Sequence, residues 1–479
     1  MTEAIPWLIL LPLFWAILAF LLGPCRGAMP AVTGLAVQLA LTLLLAASRV
    51  EVAQVQDVGG WDAPLGIELR ADGFSLVMLL MTQAVALLIA LYASAYFTRH
   101  ASGHAYFWPL AGCLIAAMNA LYLSSDIFNL YVTLELLSLA AIGLVASEGN
   151  AKSATAALRY LFASMMGSGA YLLGVALLYG AYGTVSLPHL AELMTHGVSA
   201  IVPYSAGLML LGLLLKTALF PLHFWLPPAH GGAPAPVSAL LSALVIKASF
   251  YLALRLWTTL FEPVTIMPAA QLLGMLGAGA VLWGSFQALR QRRLKMLVAY
   301  STVAQIGYLF LVFPLLTGSI QSNEPSAMQG VILQAVSHGF AKAAMFGAAG
   351  AVILAAGHDE LDRLGGLTRH LPVPMFTFAI AGVSLMGLPP SGGFIAKWLL
   401  IDSAIIARQW WWVAVLLTGG LLTATYVFKV MRLTFSQAEP SAPLHPLPKL
   451  LEWSAMALAL VSLLLGLGAG SLLSLLELA

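Results

Sequence analysis

The chain has 479 residues, 61% hydrophobic and only 8% charged, with a mean hydropathy of +0.94. Soluble domains carry about 25% charged residues, so composition excludes a soluble globular domain and points to a polytopic helical membrane protein. The formal net charge of +2, with no basic cluster interleaved with aromatics, gives no sign of a nucleic-acid partner, and Cys25 and Cys113 stand far apart with no CxxC, leaving iron–sulfur, zinc and disulfide frameworks unsupported.

Apolar residues begin almost at once, from Ile5 to Gly23. Glu3 precedes them, without a positive n-region or small-residue cleavage site, so the segment reads as a retained first span. Counting apolar runs of about 20 residues places spans near 5–23, 30–48, 73–97, 105–123, 127–147, 155–180 and 204–226. The remaining runs lie near 234–257, 267–287, 296–316, 328–354, 371–402, 409–434 and 451–474. The expected fold is an all-α polytopic membrane protein of about fourteen helices. If the N-terminus is outside, the inward loops hold Arg26, Arg99, Lys152, Arg290, Arg292, Arg293, Lys295, Arg363, Arg369, Arg432 and Lys449. The outward loops hold only Arg49, Arg70 and Arg408, so the positive-inside rule predicts both termini outside. The outward loop at 49–72 is acidic (Glu51, Asp57, Asp62, Glu68, Asp72), which carries little weight in that rule.

Seven basic residues remain inside spans: Arg159, Lys216, Lys247, Arg255, Lys342, Lys397 and Lys429. Arg255 and Lys429 lie near helix ends, where long cationic side chains snorkel to the interface. Lys216, Lys247, Lys342 and Lys397 sit too deep for that. A charge at membrane depth costs roughly 2.5–3.5 kcal/mol on insertion scales, and its default reading is an ion or proton path. Between Lys216 and Lys247 lie Pro221, Pro227, Pro228, Pro234 and Pro236, so one hydrophobic helix must break and another must start. Unwound backbone there survives only inside protein or beside a wet cavity.

Glu135, in FNLYVTLELLSLAAIGLV, is the one carboxylate well inside a span, and Lys216 is its expected partner. Opposite charge keeps both groups ionised, and opening or closing such a pair would pass a proton along. In the eleventh span Gln334, His338 and Lys342 recur at four-residue intervals on one helix face, and histidine titrates in the useful range. The twelfth span carries GLPPSGGFIAKW (387–398), a second break followed by Lys397. Lys216 to Lys247 is 31 residues and Lys397 to Lys429 is 32, which suggests two five-span halves, 105–257 and 267–434, of opposite topology. They are flanked by residues 1–104 and 435–479. The copies differ in one respect: the lysine precedes the break in the first half and follows it in the second.

Four stretches carry a family resemblance: KTALFPLHFWLPPAHGGAPAPVSALLSALVIKASFY, LKMLVAYSTVAQIGY (294–308), SHGFAKAAMFGAAG (337–350) and GLPPSGGFIAKW. Together they resemble the proton-conducting membrane subunits shared by respiratory complex I and Mrp-type cation/proton antiporters, over roughly residues 60 to 435. The resemblance implies fourteen core helices, two inverted five-helix repeats, and broken helices seven and twelve. It implies relay roles for Glu135, Lys216, Lys247, His338 and Lys397. Lys342, His223, His230, Arg159 and Lys429 are the supporting candidates. GGWDAPLGIELRADGFS (59–75) is similar to the large Mrp subunits in particular, which makes the D-type member of those the nearest likeness.

The chain departs from the family pattern in places. Pro228 stands where the family often has aspartate, and Arg159 where lysine is commoner, which keeps charge but not titratability. The chain ends soon after the fourteenth span, without the long lateral helix of the largest complex I subunit, and Lys397 in place of glutamate argues against another complex I type. The expectation is a proton-translocating subunit of a multisubunit complex in a bacterial inner membrane, most like an Mrp-type antiporter. A complex I, hydrogenase or carbon-uptake relative is the alternative. Its partners would be other membrane subunits, the bilayer, protons and possibly sodium. The cationic line favours protons, since a sodium site needs several oxygen ligands. A mere scaffold would not need deep titratable groups. No nucleotide fingerprint, haem motif or cluster ligand occurs, so no cofactor or metal is expected and any redox centre would sit on a partner.

Overall fold

A computed structural model describes residues 4–48, 54–58, 60–61, 66–100, 104–319, 326–437 and 443–477. Glu3, Arg49, Glu51 and Asp62 lie outside the described residues. Eleven described helices are long and apolar enough to cross a membrane: Ile5–Leu22, Ala28–Ala47, Gly73–Tyr96, Ala105–Leu123, Ile127–Ala146, Ala151–Tyr182, Ala235–Thr258, Met267–Arg290, Leu294–Thr317, Ser326–Ala356 and Trp410–Thr434. Shorter apolar helices, Val202–Thr217 and Pro372–Met386, end at the two expected breaks. Lys449–Leu464 continues into Ala469–Leu476 through an 85° bend. A total of fourteen is reached only by counting the interrupted helices and the bent pair as one span each.

The all-helical expectation missed one feature. Gln54–Val58 and Ile67–Ala71 pair as an antiparallel hairpin, with Gln54 opposite Ala71. A short helix, Leu187–Thr195, lies on the same side of the molecule, and Ser125 bridges both: its N–H donates to Glu68 O and its carbonyl accepts from Leu187 N–H. We call this the hairpin side; residues 290–293 mark the opposite, arginine side.

Polar residues start the helices. Asp72, Asp126, Asn150 and Ser391 accept the backbone N–H of Ser75, Asn129, Ser153 and Phe394, satisfying donors that a first turn leaves unpaired. At the centre, the most apolar 18-residue stretch of Ala235–Thr258 is fully buried and that of Ser326–Ala356 is 83% buried, whereas those of both N-terminal helices are 33% buried. The deepest protein interior is therefore built from the two helices that carry Lys247, His338 and Lys342, together with Leu294–Thr317, whose corresponding stretch is 89% buried.

Arg255 corrects one expectation. It does not snorkel: both terminal nitrogens bind Asp72, at 2.7 Å each, and one also donates to Ser75 Oγ at 3.2 Å. The capping acid of the neighbouring helix supplies its counter-charge. Burial pushes the Asp72 carboxyl up, but the guanidinium and the Ser75 bonds outweigh it and hold the group at about 2. A carboxyl held below its ordinary 3.8 stabilises the fold above that pH and loses the contribution as pH falls towards about 2. Detergent-solubilised protein should therefore lose about 2 kcal/mol of unfolding free energy from this group over that acid window. In Asp72→Asn that component of the acid transition should vanish; an unchanged pH profile would count against the assignment.

Candidate functional site

The first break begins where Val202–Thr217 stops on Ala218 in a left-handed conformation (φ 57°). Of the five prolines only Pro221 lies in the gap; Pro227 and Pro228 open Leu226–Gly232, and Pro234 and Pro236 open the next helix. Prolines suit a first turn, whose N–H groups lack partners anyway. The Trp225 indole donates to Leu215 O at 2.9 Å, a carbonyl of the last turn that also accepts the Ala218 N–H at 3.2 Å. The indole lies flat on Tyr160, 4.1 Å between ring centroids.

Lys216 occupies the last turn before this gap. Its ammonium donates to Glu135 Oε1 at 3.0 Å and to the hydroxyls of Ser138 and Ser164 at 2.8 Å each. Ser168 donates to the same Glu135 oxygen. The lysine side chain is 5% exposed and the glutamate 25%. Backbone closeness makes this reach possible: a Cβ on Gly167 would stand 2.8 Å from Gly212 O, and one on Gly212 would meet Gly167 O closer still. The contact expected from charge alone is therefore present.

Lys247 is fully buried and faces no carboxylate among the described residues. Its ammonium donates to Ser242 O at 2.7 Å, inside the π turn Leu241–Val245, where the wider winding offers a carbonyl to a side chain. Across from it, the face expected on Ser326–Ala356 is realised. Gln334 donates to Gln305 Oε1 at 3.1 Å, and Lys342 donates to Val298 O at 3.1 Å and to Ser301 Oγ. All three partners lie on Leu294–Phe310. His338 sits between them, within electrostatic reach of Lys247 and Lys342, and neither ring nitrogen has a partner among the described residues. His230 is equally buried, against the Phe346 ring at 4.9 Å, and feels Lys247, Lys342 and Lys295.

At the second break the C-terminal segment supplies the cation. Lys397 reaches back to the last carbonyls of Pro372–Met386, Leu385 O at 2.8 Å and Met386 O at 3.0 Å, and lies 4.5 Å over the Tyr308 ring. A helix C-terminus is the favourable place for a cation. Gly387 is left-handed (φ 82°), and a Cβ there would stand 2.7 Å from Lys397 Cδ.

Other candidates fall elsewhere. Arg159 projects from an exposed face of its helix, with no ion pair or hydrogen bond among the described residues. Lys429 caps the end of Met267–Arg290 through Leu289 O at 2.7 Å and Gln291 O at 3.0 Å. His223, half-buried in the first gap, stacks on Phe220 at 5.6 Å. Sequence reasoning placed Lys295 in a loop. It is buried instead, donating to Ala233 O, while its backbone N–H donates to Asp359 Oδ2 at 3.1 Å. The signal was its place in LKMLVAYST, one of the recognised motifs.

Chemically, the site holds one carboxylate–lysine pair, then lysines whose partners are hydroxyls and carbonyls, and two histidines, His230 and His338, whose ring nitrogens have no partner among the described residues. Such groups bind and release protons. No group of three or more His, Cys, Asp or Glu able to hold a metal occurs among the described residues.

Residues 124–423 match a family model described as "NADH:quinone oxidoreductase/Mrp antiporter, TM", and residues 57–107 match "NADH-Ubiquinone oxidoreductase (complex I), chain 5 N-terminus". The chain is 35% identical to NADH-quinone oxidoreductase subunit N of Desulforudis audaxviator, over 92% of this chain and 88% of that one. It is 29% identical to the D-type subunit of the Na(+)/H(+) antiporter of Bacillus subtilis, over 87% and 83%. Its fold superposes on a chain of the Mrp complex from Dietzia sp. DQ12-45-1b with a TM-score of 0.89 at 26% identity, covering 100% of this chain and 96% of that one. A chain of respiratory complex I from Thermus thermophilus gives 0.77 at 27% identity, covering both chains fully. With three fifths of its length inside the family model and the same fold as members of both kinds of complex, the chain belongs to the transmembrane subunit family shared by NADH:quinone oxidoreductases and Mrp antiporters.

Proposed function

We propose that this chain is a proton-translocating subunit of a multisubunit membrane complex, of the Mrp-type cation/proton antiporter kind, with Glu135, Lys216, Lys247, His338 and Lys397 as the relay. The observation that carries the reading is the buried Lys216–Glu135 contact, followed by cations that lack carboxylate partners among the described residues. Separating a buried ion pair disfavours both charges. Opening Lys216–Glu135 therefore sends the lysine's proton towards Lys247 and His338, and closing it readies Lys216 for the next. Lys342 and His230 stand beside that route. His338, whose nitrogens lack partners among the described residues, could accept and donate in turn. Val202–Thr217 and Pro372–Met386 each end at a break, and an odd number of spans per half gives the second copy the opposite orientation, which supports a pair of inverted five-helix halves and a total of fourteen spans.

The second reading is a subunit of an NADH:quinone oxidoreductase, in which electron transfer on partner subunits drives the same path. The 35% identity to such a subunit over nearly the whole chain favours it. Purifying the assembly in mild detergent and identifying what travels with this chain separates the two. The antiporter reading expects only small membrane subunits; co-purifying flavin or iron–sulfur subunits would replace it with the redox reading.

The basic loops support an inner membrane with both termini outside. Exposed Cys25, in the turn after the first helix, then faces the cytoplasm. In Cys113→Ser protein an impermeant maleimide should label Cys25 in inverted vesicles and spare it in intact cells; the reverse pattern would invert the topology.

A further inference from the structure

On the hairpin side, well away from the relay, a cavity of about 280 Å³ is lined by Arg70, Ser124, Ser125, Pro188, Asp72 and Arg255. It ends on the bidentate Asp72–Arg255 pair, whose side chains are only 13% and 14% exposed. Under the guanidinium lie aromatic rings. Arg255 stands 5.0 Å from the Tyr251 ring and 5.6 Å from the Phe74 ring; Tyr251 packs on Phe74 at 4.5 Å and edge-on to Tyr122 at 4.9 Å. Hydrogen bonds tie this stack across three helices: Tyr251 OH donates to Tyr122 O at 3.0 Å and lies 3.3 Å from Ser75 Oγ. Two further hydroxyls, Tyr122 OH and Thr82 Oγ1, are buried beneath it and face each other. Arg255 and Lys247 share one helix, eight positions and so about 12 Å apart.

We propose that the Phe74–Tyr251–Tyr122 stack, clamped by Asp72–Arg255, is the gate between the hairpin-side cavity and Lys247. It is closed in this structure and opens when the clamp releases. This rests on the proton-translocation reading for what passes, but not for the barrier itself. Three packed rings exclude water from the line between cavity and lysine, and a closed proton path needs such a dry segment. The clamp supplies directional, charge-assisted bonds that hold two helices in register. Moving the helix of Arg255 relative to Gly73–Tyr96 breaks both of its short bonds together and unstacks Tyr251, so barrier and clamp open as one. Neither the clamp nor the stack belongs to the relay, so altering them changes access to it.

The test uses the whole complex in sealed vesicles, in Cys25→Ser/Cys113→Ser protein. An impermeant thiosulfonate applied from the hairpin side should modify Ser125→Cys above the stack and spare Thr82→Cys below it. Adding Tyr251→Ala, or Asp72→Asn where that variant does not assemble, should speed Thr82→Cys modification at least tenfold. Equal reaction of Ser125→Cys and Thr82→Cys in otherwise unaltered protein would overturn the gate, and that comparison stands even if both opening variants misassemble. So would a Thr82→Cys rate that an assembled opening variant leaves unchanged. Passive proton leak is the second readout: Tyr251→Ala should collapse an imposed pH gradient, and Lys247→Met added to it should restore the barrier. A leak that persists in the double variant would refute the relay while leaving the labelling result, and the gate, intact.

Discussion

Vesicles carrying the complex with Lys216→Ala or Glu135→Ala are expected to form no pH gradient, although the complex assembles in both. Glu135→Ala removes the only carboxylate that touches the lysine among the described residues, but the ammonium keeps two hydroxyl acceptors, Ser138 and Ser164. It therefore stays satisfied and the helices remain packed. Lys216→Ala leaves a glutamate that still accepts from Ser168 and is a quarter exposed. Breaking a dry ion pair typically costs about 3–5 kcal/mol; the serines and this exposure reduce that cost, so loss of transport and loss of assembly part company. The double variant should be no worse than either single one, since both remove the same event. Wild-type transport in either single variant would refute the pairing.

Gly212→Val should be worse in a different way. A Cβ at Gly212 would run into Gly167 O, and the facing Gly167 has no side chain to yield. The helices Ala151–Tyr182 and Val202–Thr217 must then separate along their closest contact. Overpacking an ordered interior costs about 1–3 kcal/mol, and more where backbone meets backbone. The displacement also carries Lys216 away from Ser164, which the same two helices hold together. We expect both a lower melting temperature of the purified complex and no transport. Gly180→Ala, on the facing helix that carries Gly167 and with open space around its Cβ, is the control and should change neither. A Gly212→Val complex that melts and transports like the wild type would show that the close approach does not position Lys216.

The breaks and the Lys216–Glu135 pair were legible in the sequence because both defy their surroundings. Proline and glycine inside an apolar run have few other uses, and an acid in oil needs a cation. Lys295 was not legible: it stands one residue inside its helix, where position alone reads as loop, and only folding brings Ala233 and Asp359 onto it. Arg255 reads as an interfacial residue in the sequence because its partner Asp72 is 183 residues away, in a loop with several other acids. The hairpin was missed since QVQDV and IELRA are short and too polar to stand out among apolar helices. Arg159 shows the converse limit. Its residue type and span suggested a relay role, yet the helix turns it outward, and one sequence does not say which face of a long helix is covered.

The most direct measurement reads the pH inside dye-loaded proteoliposomes containing the purified complex, under an imposed driving force, for wild type and Lys247→Met. With a fully buried cation of the line replaced by an apolar side chain of similar length, we predict a flat trace beside a wild-type signal, at equal complex content. An undiminished signal from Lys247→Met would mean that protons cross elsewhere and that the buried lysines and histidines serve only the fold.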